Sequence, residues 1–192
     1  MEGFPSILCF VYTIGKIMIV IIEGNDNCGK STLIKDIRKC ILTSPRTTSI
    51  HCVSPPDGYH SGWSQEHYSE VLGMSRTLCE QGWDVILDRS HLGEDVYGPV
   101  FRQQSADYVY DIERKFLSDI DCRLILLTDS PEGIIEREDG YTYSIKPEMI
   151  ERVSERFLQV YNNSCVPHKL HYHITNDGGF DNLLPTVKEF LK

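Results

Sequence analysis

Apolar residues along the chain switch repeatedly between two periods. Ile17–Glu23 is a continuous apolar run, as in a strand buried on both faces of a sheet. Leu33, Ile34, Ile37 and Ile41 then recur at helical spacing. Thr48–Val53 reads as a second strand, closed by Ser54-Pro55-Pro56, and Tyr68, Val71, Leu72, Leu78 and Cys79 mark a helix stopped near Gly82. Trp83–Leu87 is a third strand ending at Asp88, after which Val109, Ile112, Phe116 and Leu117 share one helical face. Arg123–Thr128 is a fourth strand. Pro131 suits the first turn of a helix whose apolar side is Ile134-Ile135. Pro147 opens another, with Ile150, Val153, Phe157 and Tyr161 in period. Leu170–Thr175, weaker and His-rich, is the fifth strand, and Leu183, Leu184, Val187 and Leu191 form the last helix.

Strands alternating with helices predict an α/β domain with a five-stranded, mainly parallel sheet and helices on both faces. Right-handed crossovers put the loops that follow strands along one edge. The loop from Gly24, the segment Ser54–Trp63 and Asp88-Arg89-Ser90 therefore converge on one crevice.

The length of 192 residues and an apolar fraction of 41% suit one domain, here 17–192, with residues 1–16 outside the pattern. Those sixteen residues read as an extension or an extra edge strand, with Met18 an alternative start. Ile7–Ile22 is largely apolar, but Gly15-Lys16 interrupt it and no basic stretch precedes it. Neither a membrane helix nor a signal peptide is expected. The net charge of −9 argues against a broad nucleic-acid face, yet leaves room for small anions held by local Lys and Arg. Seven scattered cysteines without a C-x-x-C pair fit free thiols in a reducing cytoplasm. His168, His171 and His173 lack a companion Cys or carboxylate, so zinc is not expected.

Between the first strand and first helix stands "EGNDNCGKST", matching G-x-x-x-x-G-K-[ST] in the context that gives the pattern meaning. Backbone N–H groups of such a loop, with the helix N-terminus, cradle phosphate oxygens. Gly24, Asn27, Cys28, Gly29, Lys30, Ser31 and Thr32 are expected to hold a nucleoside triphosphate, with Lys30 on its terminal phosphates and Ser31 at a Mg²⁺ position. In "DVILDRSHLGEDVYGPVFR", Asp88 ends a buried strand, where its carboxylate can join the metal shell or accept a proton, and Arg89 can clamp a phosphate. "EREDGYTYSIKP" is polar, Gly-interrupted and lid-like over about 137–147, and Arg137 there can cover a metaphosphate-like group when the lid shuts. Trp63, Tyr97, Phe101 and Arg102 are candidates for a base slot.

These motifs, in this order, resemble the thymidylate-kinase-like P-loop nucleoside monophosphate kinases, especially the compact deoxynucleotide kinases of bacteriophages. The resemblance runs from Ile17 to the C-terminus on "EGNDNCGKST", "DRSHLGEDVYG" and "PEGIIEREDGY". It implies a three-layer P-loop NTPase fold with a small lid, ATP as donor, Mg²⁺, a thymidylate-like acceptor, a cytoplasmic setting and a homodimer. It also implies that Asp26 contacts the acceptor's 3′-hydroxyl, that Asp88-Arg89 lie near metal and acceptor phosphate, and that Arg137 is a lid arginine. The family's usual Tyr after the Asp-Arg pair is Ser90 here, and Ser54-Pro55-Pro56-Asp57-Gly58 lacks the acceptor-binding arginine common at that place. "DRS" and Gly24-Asn25 are also similar to deoxyribonucleoside kinases, which would need a carboxylate base such as Asp88. A non-enzymatic nucleotide switch is the remaining alternative. A polynucleotide kinase is disfavoured by the acidic charge.

Overall fold

The computed structural model describes residues 17–53, 61–140 and 145–192. The 1–16 extension, the stop at Ser54-Pro55-Pro56 with most of the Ser54–Trp63 segment, and the centre of the expected lid lie outside the described residues. The strands are β1 (Ile19–Gly24), β2 (Thr47–His51), β3 (Asp84–Asp88), β4 (Cys122–Thr128) and β5 (His168–His173). The helices are α1 (Lys30–Cys40), α2 (Ser61–Glu80), α3 (His91–Tyr97), α4 (Tyr108–Leu117), α5 (Pro131–Glu136), α6 (Pro147–Asn163) and α7 (Gly179–Phe190), and a π-helical turn, Gly98–Arg102, follows α3.

The sheet has the order β2-β3-β1-β4-β5, and every neighbouring pair is parallel. The alternation of side chains along each strand divides the core in two. Ile19 and Ile21 of β1, with Leu87, Leu124 and Leu126, pack under α2, α3, α4 and α6. Val20 and Ile22, with Ile86, Ile125 and Leu127, pack against α1 and α7. This is why the central strands read as unbroken apolar runs: both faces are covered.

The differences from the sequence expectation have local causes. β5 starts at His168 and ends at His173, earlier than Leu170–Thr175, because its pairing with β4 sets Arg123 opposite His168 and Thr128 opposite His173. As an edge strand it is mostly half-exposed, so no apolar run marks its ends. Helix α3 was not legible as an amphipathic pattern because all seven of its residues are buried, including His91, Glu94 and Asp95. The six cysteines among the described residues are free thiols, as expected. No helix among the described residues is long and apolar enough to cross a membrane.

The chain leaves β1 toward β2 on one side and, after β3, crosses over to β4 on the other. The carboxyl ends of β1 and β3 thus border the crevice where ligands bind in open α/β sheets.

Candidate active site

The crevice holds two neighbouring cavities. The larger, about 360 Å³ and open to solvent, is bounded by the phosphate loop (Asp26, Asn27, Gly29 to Thr32), by His51, Asp88 and Arg89, and by Arg137 and Asp139. The smaller, about 20 Å³, room for about one water, lies between the end of β1 and α3. Its walls are Glu23, Cys52, Tyr68, Arg89, Ser90, Gly93, Glu94, Tyr97 and Arg102, with Gly24 at the rim. Arg89 is in the wall of both.

The phosphate loop owes its shape to two glycines in left-handed or otherwise restricted backbone. Gly24 has φ 140°, and a Cβ there would sit 1.9 Å from the Leu127 carbonyl oxygen of β4. Gly29 has φ 77°, and a Cβ would press into the Phe180 ring at 2.5 Å. Side chains are therefore excluded at both turns. Lys30 opens α1 with its stem buried. Its Nζ donates to the Gly24 carbonyl at 2.9 Å and also to the Asn25 carbonyl. Burial first, and then the Arg89 charge, lower its pKa. Cys28 is buried in the core between α1 and α7 and does not line the cavity.

Arg89 is held in a left-handed conformation, φ 63°, which costs a non-glycine residue about 1–3 kcal/mol. Two contacts over-determine it. Its backbone N–H donates to the Ile22 carbonyl at 3.0 Å, and its Nη2 donates to Asp26 Oδ1 at 2.6 Å. Asp26 thus touches Arg89 across the cleft. Asp88 accepts a 2.9 Å hydrogen bond or ion pair from His51 Nδ1. Arg137, the first residue of the expected lid, caps the end of α5. Its guanidinium already lies on the phosphate loop: Nε donates to the Asn27 carbonyl at 2.9 Å, Nη2 pairs with Asp129, and the Phe180 ring lies 5.2 Å away. Asp129 follows β4 directly and also accepts from Thr175 Oγ1 at 2.6 Å and Ser130 N at 2.9 Å. Burial works against its charge, but these donors and Arg137 hold its pKa below the usual carboxylate range.

In the smaller cavity, Glu23 is buried at the end of β1. Its Oε1 accepts from the backbone N–H of Ser90 at 2.8 Å and of Gly93 at 3.2 Å. Burial outweighs these donors and the nearby Arg89 and Lys30 charges, and pushes its pKa up to about 7. The folded state therefore holds a proton that the unfolded chain releases near 4.5. Glu23 supports stability fully at acid pH, and this contribution is lost as pH rises through about 7. On this account raising the pH from 5 to 8 should lower the unfolding free energy by about 3 kcal/mol relative to Glu23→Gln. Chemical denaturation of both proteins at those two pH values checks it; parallel pH dependences would refute it.

Tyr97 lines the cavity and stacks on Phe101, ring centroids 6.0 Å apart, with Phe157 edge-on at 5.7 Å. Phe101 backs Tyr97 without itself lining the cavity. Arg102 does line it and pairs with the buried Glu94 at 2.6 Å. Trp63 lines neither cavity; it stacks on His67 at 5.0 Å in the first turns of α2. Behind α3, Ser90 Oγ, His91 and Glu113 form a buried chain at 2.9 and 3.3 Å, with Glu113 also taking Ser164 Oγ and Cys165 N. Burial would raise Glu113, but His91 and these donors together keep its pKa low. This network ties the start of α3 to α4 and to the approach to β5.

Sequence reasoning passed over Glu23, Cys52, Tyr68, Glu94, His51, Asp129 and Asp139. The wall residue Glu94 carries no sequence signal, since all seven residues of α3 are buried and no polar face marks it.

No family model and no curated protein sequence matches the chain. Its structure is similar to that of the YorR protein of Bacillus subtilis, solved in complex with phosphorylated GDP, with 22% identity, 88% of this chain and 92% of that chain covered, and a TM-score of 0.64. It is also similar to thymidylate kinase of Candida albicans (18% identity, 92% and 91% covered, TM-score 0.60) and of Ehrlichia chaffeensis (13%, 93% and 100%, 0.63). At these identities the likeness concerns the fold: the chain has the five-stranded parallel P-loop kinase fold.

Proposed function

We propose that the chain is a kinase that moves the γ-phosphoryl group of ATP onto a deoxynucleoside monophosphate and releases ADP and the diphosphate. The observation that carries this reading is Arg89 in the shared wall of both cavities. The phosphate-loop cavity suits a triphosphate tail, and the smaller gap beside it, walled by Tyr68 and Tyr97, marks the side from which an acceptor would approach. An arginine between them can touch the phosphate that gives and the phosphate that receives.

In this reaction an acceptor phosphate oxygen forms a bond to the γ-phosphorus as the bond to the β–γ bridging oxygen breaks. The acceptor is already ionised, so no base is required, and catalysis is positioning and charge neutralisation. Loop N–H groups and Lys30 hold the donor. Arg89, steadied by Asp26, orients the acceptor. Arg137, clamped by Asp129, lies where it can neutralise the transferring group. Ser31 and Asp88 would hold Mg²⁺: both are oxygen donors bordering the phosphate cavity, and Mg²⁺ takes few protein ligands beside phosphates and water. Bound there, it would offset phosphate charge. The resemblance favours a thymidylate-like acceptor, a cytoplasmic setting, a homodimer, and nucleotides rather than nucleic acid or membranes as partners.

A specific observation favours a second reading, a deoxyribonucleoside kinase. Glu23 lines the smaller cavity and titrates near neutrality, as suits a general base for a hydroxyl acceptor. A panel of nucleosides, nucleoside monophosphates and an oligonucleotide with Mg-ATP, scored by ADP formation, separates the readings. Turnover with monophosphates supports the first, and turnover confined to nucleosides replaces it by the second. ATP binding without any acceptor-dependent turnover leaves a nucleotide switch.

A further inference from the structure

Resting on the reading of the phosphate-loop cavity as a metal-assisted kinase site, we propose that His51 is the positioning residue for Asp88: it ties one carboxylate oxygen and leaves the other to serve the metal shell. His51 ends β2 and Asp88 ends β3. The parallel register sets the two opposite each other, so their side chains leave the sheet on the same face. Both line the 360 Å³ cavity, beside Lys30 and Ser31. His51 Nδ1 lies 2.9 Å from Asp88 Oδ2, and this is the one side-chain hydrogen bond that Asp88 makes among the described residues. Its Oδ1 receives none from a described residue and is left for a ligand.

The tautomer of the ring follows from its partner. A carboxylate only accepts hydrogen bonds, so the ring nitrogen facing it carries the proton. Nε2 of the neutral ring is then an acceptor, and an acceptor is poorly suited to grip phosphate oxygens. The ring's contribution to this anion-binding cavity therefore runs through Asp88. Nor does the pair do much for folding: the His51 side chain is 57% exposed, and exposed pairs of this kind add little stability. What the bond supplies is orientation. Without it the Asp88 carboxylate is free to turn toward Lys30 and Arg89, the cations that border the same cavity and are needed for phosphate. With Oδ2 tied to His51, the carboxylate presents one oxygen in one direction. Outer partners of this kind fix the geometry of oxygen ligands around a metal, and their loss weakens metal binding.

The test compares the full chain as wild type, His51→Ala and His51→Asn. The asparagine amide can place a donor where Nδ1–H stands, so it restores the bond to Asp88 without the ring. Mn²⁺ titrated into the protein–ADP complex and followed by electron paramagnetic resonance reads the metal shell without turnover, with ADP alone as the reference. ADP affinity in EDTA reads the metal-free phosphate loop, and thermal melting reads the fold. His51→Ala is expected to weaken Mn²⁺ binding to the complex roughly 10-fold, with ADP affinity in EDTA and the melting curve unchanged, and His51→Asn to recover most of the loss. In turnover, His51→Ala should need roughly 10-fold more Mg²⁺ for half-maximal rate at an unchanged acceptor KM. Wild-type Mn²⁺ affinity in His51→Ala overturns the proposal, as does an asparagine variant no better than alanine, or an ADP affinity that falls as far in EDTA as with metal. The kinase reading fails separately. A wild type that turns over no acceptor, while His51→Ala loses Mn²⁺ affinity, sinks that reading and supports His51 as the positioner of Asp88. Acceptor turnover by the wild type, with normal Mn²⁺ binding in His51→Ala, keeps the kinase and overturns the role of His51.

Discussion

Replacing Lys30 with alanine is expected to lower kcat/KM for phosphoryl transfer by roughly 10³-fold or more while the protein stays folded. The size follows from where the ammonium sits. It is buried at the first residue of α1, against the Gly24 and Asn25 carbonyls, and so at the mouth of the cradle formed by the loop's N–H groups. A charge in so dry a place acts on phosphate oxygens with little screening. Arg89, whose charge depresses the lysine's pKa, is close enough to share that task but stands on the acceptor side. Folding should tolerate the change. The lysine carries a desolvation cost that alanine removes, and alanine is the best helix former at an α1 position. ADP formation and a melting curve on the same preparation check both halves. Near-normal turnover would remove Lys30 from the donor site, and with it the assignment of the phosphate loop.

The donor half of the site was legible in the sequence because its chemistry is local. The loop is one continuous stretch, its glycines are fixed by backbone geometry, and the strand before it and helix after it follow from apolar period. The five strands were legible for the same reason, since four of them are short runs of Ile, Leu, Val or Thr ended by polar residues. The acceptor half was much less so. It is assembled from β1, the end of β2, α2, α3 and the π-helical turn, and its members are chosen by which faces meet after folding. Glu23 looked like the last residue of a buried strand. Only the packing of α3 across its carboxyl shows why it is there: the Ser90 and Gly93 N–H groups donate to its Oε1. Glu94 was hidden because α3 is buried on every side and so has no polar face to read. Trp63 was chosen for its ring and its place after β2, but α2 carries it away from both cavities. His51 ends β2, and its bond to Asp88 follows from the β2–β3 register, which sets those two residues opposite each other.

The same register logic isolates Arg89, and removing it should produce the second large effect. Arg89→Gly is expected to reduce kcat/KM for the acceptor by roughly 100-fold or more, mainly through KM, with a smaller effect on donor binding. Glycine is the informative replacement because φ 63° strains every other residue there, so its gain in backbone fit offsets part of the lost Asp26 ion pair. Stability should then change by about 1 kcal/mol or less, and a fall in activity cannot be charged to unfolding. Arg89→Lys should recover little, since a lysine keeps the charge but loses the planar fork that can hold Asp26 and a phosphate at once. Asp26→Ala supplies the matching control. If Asp26 acts by steadying Arg89, its loss should weaken acceptor use and add little to the loss already caused by Arg89→Gly. Additive losses would mean that Asp26 meets the acceptor on its own, as expected of a sugar contact. An Arg89→Gly protein with a normal acceptor KM would remove the bridge between the two cavities, and with it the reason for reading them as one two-substrate site.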